Sequence, residues 1–397
     1  MYVIASKAKQ SNLPKLTWLC LATTLIFAST FATANSTRTT DTQFEQALSE
    51  VAQSENAVGF AVAVVRNGKI TLVRTYGKRE AGRPEKVDAN TTFRIASLSK
   101  GFAATIAAKL VSENKLALET PIVRYNKDFR LSNQAQTEAA TISDVLSHRL
   151  SLPPYAYDNL LEADTAPPVI LREMRKVKPV CRVGSCYAYQ NVGFDMITGV
   201  IEELRLASFA EVVREELFKP LGMKGASFDI LGLKADSNWA RSHRRIGQDA
   251  WKVREVRQAY YNVPAAGGIN ASILDMAEWL KAQMGHAPNV ISPELLEMLH
   301  DPIVRTPAEL RRNRRMTELS DAHYGLGWRI YQYGGHTVIN HSGSVEGYGA
   351  RIAFLPEKDV GIVLLANFRT REFWDLLPTF LNLELGLVNE RSKVPAE

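Results

Sequence analysis

Strand patterns lie at both ends of this chain, and helical patterns fill its middle. Near the N-terminus, Val58 to Val65 and Ile70 to Tyr76 are rich in β-branched residues, and the Asn67-Gly68 pair between them is a strong hairpin signal. Near the C-terminus, strand patterns recur in four segments: Gly325 to Tyr333, His336 to His341, Tyr348 to Leu355, and Val360 to Ala366. We therefore predict an α/β (α+β) fold in which both termini build one antiparallel sheet.

The middle of the chain, from Leu98 to about Tyr261, is predicted to be mostly helical. Its apolar residues recur at helical spacing in three segments: Thr141 to Ser147, Val192 to Leu206, and Ser208 to Phe218. The predicted domain spans residues 43–385, with a sheet lobe at about 43–97 and 262–385 and a helical lobe at about 98–261. A loose leader, 35–42, and a polar tail, 386–397, flank it. The cleft between the lobes is the expected site.

The N-terminal residues have the pattern of a secretory signal. Lys7, Lys9 and Lys15 precede an apolar run from Leu16 to Phe31, and an A-x-A sequence ends at Ala34. We expect cleavage after Ala34 and export of the mature protein to a bacterial periplasm. We expect no stable membrane span after this processing. A retained membrane anchor is the alternative, although the apolar run is short for one.

Charge and cysteine content narrow the classes of partner. Removing the signal takes away three lysines, so the formal charge falls from +6 to +3, and such a nearly balanced charge does not indicate nucleic-acid binding.

Two cysteines, Cys181 and Cys186, remain after signal removal, five positions apart with Gly184 between them. In an oxidising compartment they are a candidate disulfide, whereas in the cytosol they would be reduced thiols.

Ser97 and Lys100 are the strongest chemical signal. They lie three residues apart at the start of a predicted helix, Leu98 to Val111, so the hydroxyl and the amine share one helical face. A lysine whose pKa is lowered by burial can take the proton of a serine nucleophile. The same spacing occurs at Ser6-Lys9, which the signal cleavage removes, and at Ser112-Lys115, where that helix ends. The candidate nucleophile is therefore Ser97.

Two further patterns could face this serine. Tyr189 and Asn191 open the predicted helix at 192 and could present a phenol and an amide to one point, although residues 157–159 and 260–262 share their spacing. The sequence His341-Ser342-Gly343-Ser344 follows a predicted strand, and such a strand edge can donate hydrogen bonds to a substrate. We predict that these four residues bind substrate and that Asn191 holds either the substrate amide or Lys100.

In order and context, the Ser97-Lys100, Tyr189-Asn191 and His341-Gly343 motifs resemble those of the serine β-lactamase and penicillin-binding protein family, in its class C and esterase-like branch. The resemblance covers roughly residues 43–385. It implies an acyl-enzyme on Ser97, proton transfer shared by Lys100 and Tyr189, an oxyanion hole formed by the Ser97 and Ser344 N–H groups, and no metal or other cofactor. Which of Lys100 and Tyr189 is the resting base stays open.

The histidine in the third motif departs from the lysine of β-lactamases. His341 is mostly neutral at pH 7 and attracts a substrate carboxylate less strongly. We therefore expect a secreted serine hydrolase acting on esters or on D-amino-acid peptides and amides, which are small-molecule or peptide substrates, including cell-wall fragments. The alternatives are a true class C β-lactamase or D,D-carboxypeptidase, and a non-catalytic cell-wall-binding homologue. Two basic stretches, Asp236 to Val253 and Arg305 to Arg315, are predicted to be solvated surface without a role.

Overall fold

The computed structural model describes residues 40–247 and 250–387. The predicted signal segment, leader residues 35–39 and tail residues 388–397 lie outside them. Within the described residues, no helix combines the length and the apolar character that a membrane crossing requires. The described residues form two compact units, one of residues 50–378 and the other of residues 40–49 and 379–387. The predicted boundaries of the sheet and helical lobes stay a prediction.

An eight-stranded antiparallel sheet forms the larger part of the β-structure, in the order β2-β1-β13-β12-β11-β10-β9-β8. Its strands are β1 (Gly59–Arg66), β2 (Lys69–Gly77), β8 (Val304–Arg305), β9 (Leu319–Tyr324), β10 (Arg329–Tyr333), β11 (His336–Val345), β12 (Tyr348–Leu355) and β13 (Val360–Ala366). The first strand pairs with the last, with Val62 opposite Leu364. The predicted fold class, with one sheet built from both ends of the chain, is confirmed.

Local sequence explains the start of this sheet. β1 is buried at all but its last residue, as expected for a strand of β-branched and small residues that is covered on both faces. Asn67 and Gly68 both have positive φ, 47° and 69°, which is the geometry of the turn that the Asn-Gly pair predicts. The hairpin therefore forms where the sequence places it.

Two small sheets complete the β-structure. One has the order β3-β7-β4 and joins β3 (Phe93–Arg94), β7 (Ile269–Ala271) and β4 (Ser227–Phe228). The other is a hairpin of β5 (Ser242–Ile246) and β6 (Ala250–Arg254). This hairpin lies in the region predicted to be mostly helical. The sequence did not indicate it, because residues 243–245 are all polar or basic and β6 is largely exposed, so the apolar alternation of a half-buried strand is absent.

Helices occupy most of the chain between the strands. They are α1 (40–53), α2 (Ser99–Ser112), α3 (Gln134–Ala139), α4 (Ile142–Leu146), α5 (Asp158–Glu162), α6 (Pro167–Glu173), α7 (Val192–Arg205), α8 (Phe209–Val213), α9 (Asp229–Lys234), α10 (Pro264–Gly267), α11 (Ile273–Gln283), α12 (Pro293–His300), α13 (Pro307–Arg312) and α14 (Arg371–Leu385). The segment predicted as one helix over 208–218 is α8 followed by a π-helical turn, Arg214–Phe218.

Helix α2 is the central helix of the larger unit. It is buried at eleven of its fourteen residues, and its alanines allow neighbouring elements to approach closely. The Phe102 ring stacks on Trp279 of α11 with centroids 3.7 Å apart, and Gly101 faces Trp328, whose ring leaves no room for a Cβ. Helix α2 is therefore held rigidly, and the residues at its N-terminus have fixed positions.

Candidate active site

The nucleophile loop connects β3 to α2. Ala96 has a φ of +49°, a conformation that costs energy for a residue with a Cβ. It is the first residue of a 3₁₀ turn, Ala96–Leu98, that contains Ser97. Buried Ser99 fixes the turn by donating to the Ala96 carbonyl at 2.7 Å and accepting from the Ile269 N–H at 3.2 Å. Ser97 is left partly exposed at the cleft.

Lys100 lies beneath Ser97, as the helical spacing predicts. Its Nζ is 3.4 Å from the Ser97 Oγ, 2.8 Å from the Asn191 Oδ1 and 2.9 Å from the Ala266 carbonyl oxygen. The side chain is fully buried. Burial lowers the pKa of Lys100 from 10.5 to about 7, because the cost of desolvating the ammonium outweighs the attraction of the nearby Asp158 carboxylate.

The two strong partners of Lys100 are both acceptors. The Asn191 Nδ2 donates to the Asp158 Oδ2 at 2.6 Å, which turns the Asn191 oxygen toward the lysine. The Ala266 carbonyl is held by α7, since the Asp195 Oδ1 accepts from the N–H groups of Ala265 and Ala266 at 2.8 and 3.4 Å. A neutral amine has two N–H bonds and one lone pair. In the neutral amine, donation to these two acceptors uses both N–H bonds and leaves the lone pair for Ser97, whereas in the ammonium form the Nζ donates to the Ser97 Oγ.

Tyr189 completes the proton-transfer group. Its buried side chain is hydrogen-bonded to Ser97, and the Lys100 Nζ lies 4.8 Å from the centre of its ring. Burial raises the pKa of Tyr189 above its usual range, although the nearby Arg329 guanidinium favours the ionised form. The phenol is therefore protonated at neutral pH and can act as an O–H donor.

The third motif presents a free strand edge to the cleft. β10 pairs with β11 only as far as Asn340, so the β10-facing edge of β11 is unpaired from His341 onward. A Cβ at Gly343 would lie 2.3 Å from the Ile95 carbonyl oxygen and 3.0 Å from the Ser97 nitrogen. The glycine therefore lets this strand approach the nucleophile loop. Ser342, Gly343 and Ser344 all line the cleft.

His341 lines the same cleft, but both of its ring nitrogens already have partners. The Gln190 N–H donates to the His148 Nδ1, so the His148 Nε2 carries the proton that it gives to the Tyr324 hydroxyl at 3.2 Å. The Tyr324 hydroxyl then donates to the His341 Nε2 at 3.0 Å, and the His341 Nδ1–H faces the Ser342 carbonyl at 3.0 Å. Burial keeps the pKa of both histidines well below 6.5. His341 is neutral, as its residue type predicts.

The far wall of the cleft contains charged residues that the sequence patterns did not reveal. Helix α13, which falls in the stretch predicted to be solvated surface, contributes the buried Glu309 and the partly exposed Arg312. The Glu309 carboxylate lies 3.4 Å from the Arg329 Nε, and the nearby guanidinium groups hold its pKa low despite burial. Arg351 lines this wall as well. The prediction that Arg305 to Arg315 is solvated surface is therefore wrong for Glu309, which is buried beside the cleft.

The cleft has a volume of about 440 Å³ and brings the predicted motifs together. Among the residues predicted from sequence, those that line it are Ser97, Tyr189, Asn191, His341, Ser342, Gly343 and Ser344. Lys100 lies below its floor. Cys181 and Cys186 are joined by a disulfide that precedes Tyr187 to Tyr189. Asp158, the acceptor for Asn191, was missed because no sequence pattern distinguishes it from other acidic residues near a helix start.

A partly exposed serine over a buried lysine whose pKa is lowered to about 7, with a protonated tyrosine beside both, fits the chemistry of a serine hydrolase. The chain belongs to the Beta-lactamase family, whose model matches residues 44–383. This membership confirms the resemblance that the three motifs indicate, and together with a relative named a hydrolase it supports an enzyme of the serine hydrolase class.

Relatives and structural neighbours lie at low sequence identity. The unguisins hydrolase ungD′ of Aspergillus campestris is 27% identical over 352 residues, which are 82% of this chain and 61% of that protein. Protein flp of Staphylococcus aureus strain MW2 is 23% identical over 84% of this chain and 64% of its own length. This chain thus spans less than two thirds of both relatives.

Two solved structures share the fold. An octameric penicillin-binding protein homologue from Pyrococcus abyssi superposes with a TM-score of 0.77 at 24% identity, covering 87% of this chain and 77% of its own. A class C beta-lactamase mutant superposes with a TM-score of 0.70 at 20% identity, covering 87% of this chain and 97% of its own. The antiparallel sheet with its helices is therefore the β-lactamase and penicillin-binding protein fold.

Proposed function

We propose that the protein hydrolyses esters, or peptides and amides of D-amino acids, through an acyl-enzyme on Ser97, with neutral Lys100 as the resting general base. The supporting observation is the set of Lys100 partners. Two acceptors take both N–H bonds of an uncharged amine, and the lone pair faces the Ser97 hydroxyl at 3.4 Å. A pKa of about 7 leaves a substantial fraction of the amine free to accept the proton at neutral pH.

In the proposed acylation step, the Ser97 Oγ attacks the substrate carbonyl carbon and its proton passes to the Lys100 Nζ. The carbonyl oxygen gains the charge, and the backbone N–H groups of Ser97 and Ser344 stabilise it. The open edge of β11 and the close approach of Gly343 to the Ser97 nitrogen support this position for the oxyanion.

Tyr189 then delivers a proton to the leaving group. Its O–H is hydrogen-bonded to Ser97, and its raised pKa makes a resting phenolate unfavourable. As the carbonyl carbon–leaving group bond breaks, the phenol gives its proton to the leaving oxygen or nitrogen and is reprotonated from the Lys100 ammonium. In the second half of the cycle, a water attacks the acyl carbon and gives a proton to the Lys100 Nζ. The bond between the acyl carbon and the Ser97 Oγ then breaks, the Oγ takes that proton from Lys100, and the acid is released.

We also propose that the mature protein is secreted. The Cys181–Cys186 disulfide supports this location, because such bonds persist in oxidising compartments. The neutral His341 supports an ester or peptide substrate over a β-lactam whose carboxylate needs a cation at this position, since both ring nitrogens are engaged within the protein.

Intact-protein mass spectrometry tests the mechanism. The protein is incubated with a panel of esters, D-peptides and β-lactams, and the acyl adduct is located by its mass. Ser97→Ala should abolish the adduct. Ser112→Ala is the matched control, because Ser112 has the same spacing to Lys115 but is exposed at the end of α2 and donates to the Lys109 carbonyl. An adduct that persists in Ser97→Ala would place the nucleophile elsewhere.

A further inference from the structure

Three guanidinium groups, Arg312, Arg329 and Arg351, line one wall of the cleft and are called the arginine wall here. One carboxylate, Glu309, lies among them, 3.4 Å from both Arg312 and Arg329. One negative charge facing three positive charges leaves a surplus of two. The Glu309 carboxylate also accepts from the Tyr331 hydroxyl at 3.0 Å, so its own hydrogen-bonding capacity is largely used.

Among the described residues, Arg351 is the member of this wall without an ion-pair partner within 4 Å, and the Asp375 carboxylate, which favours its charged form from farther away, already pairs with Arg315 and Arg371. Within residues 40–247 and 250–387, it makes no hydrogen bond or ion pair, and its Nε is buried without a partner. Burial lowers the pKa of Arg351 to about 10. Arg351 as a whole is half-buried, but a cation with a covered Nε that lacks a partner is costly unless an anion offsets its desolvation.

The surroundings of Arg351 leave its hydrogen-bonding edge free. The Arg351 Cζ lies 4.7 Å from the Trp374 ring centre, so the stacked face of the guanidinium is occupied while its in-plane N–H donors are not. On the sheet, Arg351 is the direct cross-strand partner of Ser342, which precedes Gly343 at the Ser97 nitrogen. Arg351 and Ser97 both line this cleft.

Apolar side chains surround this charge. Met316, Trp374 and Leu377 line the cleft together with the arginine wall. A ligand that satisfies both features has an apolar body and an anionic end. A planar carboxylate matches the fork of an arginine better than a point anion does, because two parallel N–H donors can reach its two oxygens.

We propose that the natural substrate carries a carboxylate on an apolar acyl or leaving group, and that Arg351 binds this carboxylate within the cleft that contains Ser97. This inference rests on the hydrolase function proposed above and narrows its substrate class. The positive charge that the third motif lacks at His341 is supplied instead from β12.

Two matched pairs of chromogenic esters test the substrate class. In both pairs the neutral member is 4-nitrophenyl hexanoate. The charged member of the first pair, mono-4-nitrophenyl adipate, carries a terminal carboxylate on the acyl chain. The charged member of the second pair, 5-hexanoyloxy-2-nitrobenzoate, carries the carboxylate on the leaving group. The charged member of at least one pair should have the larger kcat/KM, by roughly ten- to a hundredfold, the size expected for a hydrogen bond to a charged group. This preference should fall with added salt. Ratios near one in both pairs would overturn the inference.

Variants identify the arginine. Arg351→Met keeps an unbranched apolar chain against Trp374, and it should reduce the charged-to-neutral ratio toward one, whereas Arg351→Lys should restore part of it. Arg371→Gln is the control, because Arg371 lies near Trp374 but outside this cleft, with Asp375 at 3.6 Å. The ratio within each enzyme does not depend on how much of that variant folds. A ratio that survives Arg351→Met would refute the assignment.

A binding measurement separates this inference from the proposed function. Calorimetry on Ser97→Ala compares monomethyl adipate with its uncharged match, methyl hexanoate, and needs no turnover. Tighter binding of the charged ester, lost in Ser97→Ala/Arg351→Met, supports the carboxylate site even if the protein hydrolyses neither compound. Equal binding of the two esters would overturn the site even if hydrolysis is observed.

Discussion

The Arg94 guanidinium and the Glu346 carboxylate form a buried ion pair, with Nη1 and Oε2 2.8 Å apart and both side chains almost fully covered. Arg94 lies three residues before the nucleophile, and Glu346 directly follows β11. The Arg94 guanidinium also lies 3.9 Å from the centre of the Tyr261 ring. This ion pair therefore connects the segment that positions Ser97 to the strand that carries the third motif.

Breaking this ion pair should destabilise the protein strongly. Glu346→Gln leaves the Arg94 charge buried without a counter-ion, which typically costs about 3–5 kcal/mol in the free energy of unfolding. Urea denaturation measures the loss. The matched control is Glu357→Gln, which removes the exposed partner of His336 and should change stability little. Equal effects of the two variants would show that the buried pair contributes no more than a surface pair.

The activity should depend on pH through Lys100. Its pKa of about 7 predicts that kcat/KM for 4-nitrophenyl hexanoate is half-maximal near pH 7, falls at lower pH as the amine becomes protonated, and reaches a plateau above. His148 and His341 should add no limb above pH 6.5, because burial lowers the pKa of both histidines well below that value. A pH–rate profile checks this, and a midpoint near 10 would mean that burial does not shift the lysine.

Asp158→Asn should move this midpoint to lower pH. The Asp158 carboxylate raises the pKa of Lys100 by attracting the ammonium, so its removal favours the neutral amine further. The introduced amide oxygen can still accept from Asn191. Asp128→Asn is the control, because Asp128 is an exposed partner of Arg172. The same pH–rate measurement applies to both variants, and an upward shift in Asp158→Asn would contradict the predicted sign.

Gly343→Ala should impair acylation. The new Cβ would collide with the Ile95 carbonyl oxygen, which is backbone and cannot turn aside, so β11 or the nucleophile loop must move. A displacement of about 1 Å can cost on the order of a hundredfold in rate. Gly199→Ala, on the exposed face of α7 with free space around it, should leave kcat/KM unchanged and stabilise the helix by about 0.5–1 kcal/mol. Burst kinetics measure the acylation rate of each variant. Equal acylation rates for Gly343→Ala and Gly199→Ala would show that the close contact at Gly343 is not needed for acylation.

Several features could be predicted from sequence because they depend on neighbours along the chain. The Asn67-Gly68 turn, the bounds of β12 and β13, and the shared helical face of Ser97 and Lys100 all follow from local backbone preferences and short periodicities. Hairpin β5-β6 was missed for the same reason, since its strands lack the apolar alternation on which such predictions depend.

The electrostatics of the site come from residues far apart in sequence. Lys100 meets the Asn191 oxygen across 91 positions and the Ala266 carbonyl across 166, and these contacts leave its lone pair facing Ser97. No short sequence pattern spans separations of this length along the chain. The sequence by itself determined the fold family and the candidate nucleophile with its lysine. The tertiary structure alone decided the pKa of that lysine and the charge of the arginine wall, because burial and counter-ions depend on how distant segments pack.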